Sequence, residues 1–263
     1  MTATEKQTFL VGEAGKSREI AFHQHPAAQP DGIGLFWMGG YKSNMDGSKA
    51  LALDAFAERA GLGCTRYDYS GHGASGGAFT DGTISKWLEE SLAMFDQQTS
   101  GPQIVIGSSM GGWLALLLVK AHIEQVGIKK SRIKGVVLIA PAVDMTKDLM
   151  WDIFDQATRA ELAANGVFRK PSEYGEPYEI TRELIVDGEQ HLLGDRLIQT
   201  GCPVRILQGV QDDSVPWQAS VDLVSRLAQD DVRLTLVKDG DHSLSREHDL
   251  ALLVRVVEQS AMS

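Results

Sequence analysis

The chain has 263 residues, of which 43% are hydrophobic and 23% are charged, a composition typical of a folded globular protein and unlike disordered, collagen-like or coiled-coil chains. Its formal net charge of -10 at pH 7 disfavours binding to nucleic-acid backbones or anionic lipid, because both attract clustered positive charge. The two cysteines, Cys64 and Cys202, are too few for a disulfide framework and suit a reducing compartment.

The N-terminal segment, residues 1–17, has no apolar run behind a basic start, and it mixes acidic with basic side chains. Both features differ from those of secretory signal peptides and Arg-rich transit helices. The longest apolar stretch, residues 113–119, is much shorter than the roughly 20 residues that span a bilayer. We therefore expect a cytoplasmic protein with no membrane span and no nucleic-acid partner.

Short apolar runs rich in β-forming residues alternate with longer segments of helical periodicity. Glycines separate the first two runs, residues 8–11 and 18–23, which predicts an opening antiparallel hairpin. Six further strands are predicted at residues 33–38, 65–69, 104–106, 135–139, 204–208 and 233–237. Helices are predicted at residues 48–60, 84–97, 110–126 and 220–228. This alternation predicts an α/β fold in which helices flank a mostly parallel, eight-stranded sheet.

One segment, residues 142–200, interrupts the alternation, because it separates two predicted strands by far more residues than a crossover needs. It is apolar at first and then turns polar around Pro171, Gly175 and Pro177. We interpret it as a short helical lid over the strand ends; the alternative is a crossover helix with a long surface loop. With no internal repeat, residues 1–263 are expected to form a single domain carrying this insertion.

The strongest local motif is Gly107-Ser108-Ser109-Met110-Gly111, a G-x-S-x-G sequence placed between a predicted strand and a predicted helix. In that context the glycines permit a tight turn that exposes the central serine. Ser109 is therefore the candidate nucleophile, whereas Ser108 lacks glycines two positions away on both sides. A serine nucleophile requires a base, normally a histidine oriented by a carboxylate.

Both partners are found on loops that follow later predicted strands. In residues 209–216 (GVQDDSVP), the spacing from glycine to the Val-Pro pair selects Asp212 as the acid over its neighbour Asp213. The sequence Asp239-Gly240-Asp241-His242 follows the last strand and makes His242 the candidate base. His248 lies in the helix beyond and is the weaker choice. The order serine, acid, histidine is similar to that of α/β-hydrolases.

Acyl transfer at a serine also needs N–H donors for the oxyanion that forms in the transition state. The first candidate is the backbone N–H of Met110, at the start of a predicted helix. The second is the backbone N–H of Tyr41, which follows Gly39 and Gly40 after the strand at residues 33–38.

No cofactor or metal is expected. His23 and His25 are two residues apart in a predicted strand, a spacing that could place both on one face, but no cluster of carboxylates accompanies them to complete a metal site. The glycine-rich turn around His72, residues 70–75, lacks both a dinucleotide-binding fingerprint and a Walker lysine. We interpret this turn as a structural element near the catalytic site and not as a phosphate-binding loop.

Four motifs carry further information, namely residues 40–47 (GYKSNMDG), 68–71 (DYSG), 107–113 (GSSMGGW) and 215–217 (VPW). Together they resemble one branch of the α/β-hydrolases, the family of α/β-hydrolase domain-containing protein 10. The similarity extends over roughly residues 20–253 and weakens through the lid. It implies the α/β-hydrolase fold and a serine hydrolase that removes palmitoyl groups from proteins or cleaves acyl glucuronides. By position it implies Ser109, Asp212 and His242 as catalytic residues.

The sequence therefore predicts hydrolysis of a carboxylic ester or thioester through an acyl-serine intermediate, with a small-molecule or acylated substrate. Met150, Trp151 and Phe154 of the lid, together with Trp217, are candidate substrate contacts. The lid residues have an alternative role as core between lid and body. Two other functions stay open, namely carbon–carbon bond hydrolysis by the same triad and a non-catalytic binding role of the fold.

Overall fold

The computed structural model describes residues 5–170, 178–227 and 231–262. Within these residues the strands are β1 (Gln7–Val11), β2 (Arg18–His25), β3 (Gly34–Met38), β4 (Gly63–Tyr67), β5 (Gln103–Ser108), β6 (Ile133–Ile139), β7 (Val167–Lys170), β8 (Tyr178–Thr181), β9 (Val204–Gly209) and β10 (Val232–Val237). The α-helices are α1 (Ser48–Ala60), α2 (Ile84–Gln98), α3 (Met110–Val126), α4 (Gln156–Asn165), α5 (Arg182–Gly188), α6 (Trp217–Arg226) and α7 (Glu247–Ala261).

Eight strands form one sheet in the order β1-β2-β4-β3-β5-β6-β9-β10. Strand β2 pairs antiparallel with both β1 and β4, and the remaining pairs in this sheet are parallel. The predicted eight-stranded, mostly parallel sheet is confirmed. Its parallel strands end at a common edge, so the loops that follow β3, β5, β9 and β10 lie close together.

Apolar side chains of the central strands alternate between two cores, one on each face of the sheet. On β5, Val105 packs into the larger core with α2 and α3, while Ile104 and Ile106 pack into the smaller core with α1 and α7. Burial on both faces explains why these strands appear in the sequence as continuous apolar runs. The buried sheet provides a rigid base for the loops at its carboxyl edge.

The predicted elements correspond closely to the observed ones. Helices α1 and α3 have the predicted bounds, whereas α6 begins at Trp217, before the predicted start at Ser220. The predicted end of α6, at residue 228, lies outside the described residues. Strand β4 begins at Gly63, because this residue pairs in register with Gly34 of β3.

The segment between β6 and β9 is not wholly helical. It contains a π-helical turn at Lys147–Trp151, helices α4 and α5, and an antiparallel hairpin formed by β7 and β8. The hairpin was not predicted, because strands of four residues are too short to establish a period of two. The predicted turns at Pro171, Gly175 and Pro177 lie outside the described residues.

A buried carboxylate ties the two ends of this segment together. The Asp144 side chain accepts hydrogen bonds from the backbone N–H groups of Leu193 (2.8 Å) and Gly194 (2.8 Å).

Among the described residues, every helix falls short of the length and apolar character required to cross a bilayer.

Candidate active site

Ser109 lies in a strained turn between β5 and α3. Its backbone has φ 56° and ψ -120°, a combination that is unusual for a residue other than glycine. A Cβ atom on Gly107 would lie 2.2 Å from the carbonyl oxygen of Gly111, and one on Gly111 would lie 2.2 Å from the carbonyl oxygen of Met38. The two glycines of the motif are therefore required sterically by the close approach of strand, turn and helix.

His242 connects the other two predicted residues. Its Nε2 atom lies 3.0 Å from Ser109 Oγ, and its Nδ1 atom lies 2.8 Å from Asp212 Oδ2. Because a carboxylate only accepts hydrogen bonds, Nδ1 carries the proton, and in the neutral ring Nε2 presents a lone pair to the Ser109 hydroxyl. The structure thus brings together side chains that follow three different strands, β5, β9 and β10.

The carboxylate of Asp212 is almost completely buried and well supplied with donors. Its Oδ1 atom accepts hydrogen bonds from the backbone N–H groups of Ser214 (2.8 Å) and Val215 (2.8 Å). Burial raises the pKa of Asp212, but the hydrogen bond and charge of His242, with the two N–H groups, outweigh it and hold the pKa below the ordinary value. Asp212 is therefore ionised and suited to stabilise a histidine cation.

Gln208, which the sequence analysis missed, also supports this carboxylate. Its Nε2 atom donates to Asp212 Oδ2 (3.0 Å), and its Oε1 atom accepts from the hydroxyl of Ser220 (2.8 Å). The Asp212 carboxylate and the backbone carbonyls of Gly209 and Val215 only accept hydrogen bonds, so the Nε2 end of the amide faces Asp212. The one sequence signal was a polar residue near the end of a largely apolar strand.

Among the described residues, neither competing residue takes part in this hydrogen-bonded set. Asp213 is exposed. His248 is exposed on α7, where its Nε2 atom lies 3.4 Å from Asp249. Neither side chain replaces Asp212 or His242.

The two predicted oxyanion donors lie next to Ser109. Met110 is the first residue of α3, so its N–H has no acceptor within the helix. On the other side, a Cβ on Gly40 would lie 3.2 Å from Ser109 Cβ, which shows that the loop after β3 passes directly against the serine. Within the described part of the chain, the backbone N–H of Tyr41 in this loop donates to no protein acceptor.

A cavity of about 890 Å³ contains Ser109 and His242. The insertion between β6 and β9 supplies most of its apolar lining, namely Ala142, Met145, Leu149, Met150, Ile153, Phe154, Tyr178 and Ile180. Polar side chains from other segments and from the start of α1 complete it, among them Ser43, Asn44, Ser48, Lys49, Ser243 and Ser245. A wider surface hollow of about 1240 Å³ beside α5 is lined by different residues.

Two of the four predicted substrate contacts, Met150 and Phe154, line this cavity, whereas Trp151 and Trp217 are not among its described lining residues. The ring of Trp151 instead packs against the guanidinium of Arg159, 4.9 Å away, on the exposed side of the insertion. Trp217 begins α6 and is half-buried there.

One group of possible metal ligands, His25, Asp54 and Cys64, has its ligand atoms within 4.8 Å of one another. Its charges are already balanced, since His25 Nε2 lies 3.2 Å and Arg66 Nε 3.5 Å from the carboxylate of Asp54. Burial also raises the pKa of the Cys64 thiol, which opposes the thiolate form that binds metals. The group fits an ion-pair cluster better than a cation site.

The chain matches a known protein family over most of its length. The sequence profile of the Alpha/beta hydrolase family matches residues 32–256. The chain is 36% identical over 227 residues to the palmitoyl-protein thioesterase ABHD10, mitochondrial, of Homo sapiens. The aligned region covers 86% of this chain and 72% of the relative.

Two solved structures are similar over nearly the whole chain. A putative hydrolase from Agrobacterium vitis S4 has a TM-score of 0.93 and 45% identity, covering 98% of this chain and 99% of that one. Alpha/beta hydrolase domain-containing protein 10 from mouse has a TM-score of 0.83 and 32% identity, covering 96% and 97%.

Proposed function

Because the chain belongs to the alpha/beta hydrolase family, we propose that it is a serine hydrolase that cleaves carboxylic esters or thioesters through an acyl intermediate on Ser109. The observation that carries this proposal is the continuous hydrogen-bonded set from Ser109 Oγ through His242 to the buried carboxylate of Asp212. The relatives named as thioesterases support an acylated substrate.

In the first half of the proposed reaction, Ser109 Oγ attacks the acyl carbon while His242 Nε2 accepts the hydroxyl proton. Asp212 stabilises the resulting imidazolium. The carbonyl oxygen becomes an oxyanion, which the N–H groups of Met110 and Tyr41 are positioned to bind. When the tetrahedral species collapses, the bond to the leaving oxygen or sulfur breaks, and that atom takes the proton from His242.

In the second half, water attacks the acyl-serine ester and His242 accepts one of its protons. Collapse of the second tetrahedral species breaks the bond to Ser109 Oγ, which takes that proton back and releases the carboxylic acid. The net reaction adds one water across the ester or thioester bond, and the enzyme returns to its starting state.

We further infer that residues 142–200 act as the lid of a single domain and that the apolar lining from this insertion contacts the acyl chain. Met150 and Phe154 lie on that lining, where apolar side chains favour burial of a hydrocarbon.

The related thioesterases are mitochondrial by name, and the cytoplasmic location of this chain stays a prediction.

The test of this proposal compares wild type with Ser109→Ala on p-nitrophenyl esters, acyl thioesters and an acyl glucuronide. Loss of the nucleophile should lower kcat by about 10³-fold or more while the protein stays folded. A fluorophosphonate probe should label wild type and fail to label this variant.

Ser108→Ala is the matched control, because it removes the neighbouring hydroxyl from the same turn. It should retain turnover and labelling within about tenfold of wild type. Unchanged turnover in Ser109→Ala would contradict the acyl-serine mechanism. A preference for long acyl thioesters over short oxygen esters would identify a thioesterase.

A further inference from the structure

The loop after β3 carries the proposed donor Tyr41, and side chains from the loop after β4 hold it in place. Asp68 Oδ1 accepts a hydrogen bond from the backbone N–H of Met45 (2.6 Å). His72 Nε2 accepts one from the backbone N–H of Lys42 (3.1 Å). Lys42 is a non-glycine residue with φ 60°, a conformation that persists only where the surroundings enforce it.

These contacts define which nitrogen of His72 carries the proton. A backbone N–H only donates, so Nε2 is the acceptor and bears no proton. Nδ1 lies 3.2 Å from the carbonyl oxygen of Ser70, which only accepts, so Nδ1 is the donor. The side chain is buried, 3% exposed, and burial lowers its pKa to about 4. At neutral pH the ring is therefore uncharged and its lone pair faces the loop.

The ring of His72 is also fixed by its neighbours. The rings of Tyr69, Phe79 and Trp87 surround it, with centroid distances of 5.6, 5.0 and 5.2 Å. Trp87 Nε1 donates to the same Ser70 carbonyl that accepts from His72 (3.2 Å).

Ser70 in turn is held by the fully buried carboxylate of Glu90. That carboxylate accepts from the backbone N–H of Ser70 (2.9 Å) and from its hydroxyl (2.6 Å). Glu90 is paired with Arg18, whose Nε lies 2.5 Å away. The histidine thus stands on a rigid hydrogen-bonded support that begins in α2 and ends at the loop after β3.

We propose that His72 is a positioning residue of this active site. Its Nε2 lone pair holds the peptide between Tyr41 and Lys42, and this anchors the adjoining Gly40–Tyr41 peptide so that the Tyr41 N–H points at the oxyanion. The role of the Tyr41 N–H as an oxyanion donor rests on the proposed function. The restraint on the loop rests on the contacts alone. Without the acceptor, the Lys42 N–H loses its buried partner and the peptide can rotate toward water.

Two substitutions separate this role from simple packing. His72→Gln places an amide oxygen near the former Nε2 position, where it can still accept from Lys42. His72→Asn is one methylene shorter, so its amide can replace the Nδ1 contact with Ser70 but cannot reach Lys42. Both variants are neutral, polar and smaller than histidine.

The measurements are kcat and KM on a short p-nitrophenyl ester, the inhibition constant of a trifluoromethyl ketone, and the melting temperature. The ketone forms a tetrahedral adduct on serine, so it reports binding of the oxyanion. Because loss of one oxyanion donor costs about 10²-fold to 10³-fold in kcat, partial misplacement in His72→Asn should lower kcat by about 10-fold to 100-fold. KM should change less than about threefold, and inhibition by the ketone should weaken by the same factor as kcat.

His72→Gln should recover kcat to within about fivefold of wild type. If both variants keep wild-type kcat, His72 does not position the donor. If both lose activity equally and in proportion to a lowered melting temperature, the residue is structural only, and the proposal is again overturned.

Hydrogen exchange of the Lys42 amide, followed by NMR, keeps this proposal distinct from the proposed function. The amide should be protected in wild type and His72→Gln and exchange faster in His72→Asn. If wild type hydrolysed no ester or thioester, the proposed function would fail, while equal protection in all three proteins would separately show that His72 does not hold the loop.

Discussion

Asp212 and Asp213 are adjacent in the sequence, yet their carboxylates have opposite surroundings. Asp212 is 9% exposed and accepts hydrogen bonds from side chains and backbone on all sides, including His242. Asp213 is exposed to solvent. A carboxylate that accepts a hydrogen bond from Nδ1 fixes the tautomer of its histidine, and among the described residues Asp212 is the one that contacts His242 in this way.

We expect Asp212→Asn to lower kcat by about 10⁴-fold with little change in KM, because an amide can donate to Nδ1 and stabilise the wrong tautomer of His242. Steady-state kinetics on a p-nitrophenyl ester measure the effect. Asp213→Asn makes the same chemical change one residue away and should alter kcat by less than about tenfold. Similar losses in both variants would contradict the assignment of Asp212.

At the scale of elements, β5, the turn at Ser109 and α3 form one sterically determined unit. Gly111 lies so close to β3 that a Cβ would meet the carbonyl oxygens of Met38 at 2.2 Å and Gly39 at 2.4 Å. Both contacts are with backbone, which cannot rotate away as a flexible side chain would. The separation between helix and sheet must increase if this glycine is replaced.

Gly111→Ala should therefore lower the free energy of unfolding by about 2 kcal/mol or more, as overpacking against backbone does. Urea denaturation followed by circular dichroism measures it. Gly76→Ala is the control, because a Cβ there meets its nearest atom at 3.6 Å and its φ is not left-handed. That variant should stay within about 0.5 kcal/mol of wild type. Equal stability of both variants would refute the steric argument.

At the scale of the whole molecule, the cavity is shared between the body and the insertion. The body supplies Ser109 and His242, and the insertion supplies apolar side chains such as Phe154. The Phe154 ring packs against Phe168 of β7, with a centroid distance of 5.7 Å. The proposed reacting groups and the proposed acyl-chain surface therefore belong to different parts of the chain.

Phe154→Ala should lower kcat/KM for a long-chain acyl ester by about tenfold relative to a short-chain one, because about 1.4 kcal/mol of apolar contact is lost only when a long chain is bound. The comparison uses p-nitrophenyl dodecanoate and p-nitrophenyl acetate. Trp151→Ala removes an aromatic side chain of the same segment outside the cavity and should leave this ratio unchanged. An equal loss on both esters would contradict acyl-chain contact by Phe154.

The sequence by itself determined the features that depend on local sterics and periodicity. The β-rich runs and helical segments predicted the eight-stranded sheet, because strands buried on both faces must be apolar along their whole length. The glycines at 107 and 111 identified the turn that exposes Ser109, since close backbone approach excludes a side chain at those positions. In a later loop, the spacing from Gly209 to the Val215-Pro216 pair predicted Asp212 as the acid.

Only the tertiary structure decided the contacts between segments distant in the sequence. The bond from Lys42 to His72, the support of Asp212 by Gln208, and the hairpin of β7 and β8 have weak or no local signals. It also decided that Phe154 lines the cavity while Trp151 does not. The physical reason is that a hydrogen bond or a cavity wall depends on where the fold places each side chain, whereas periodicity encodes only which residues are buried.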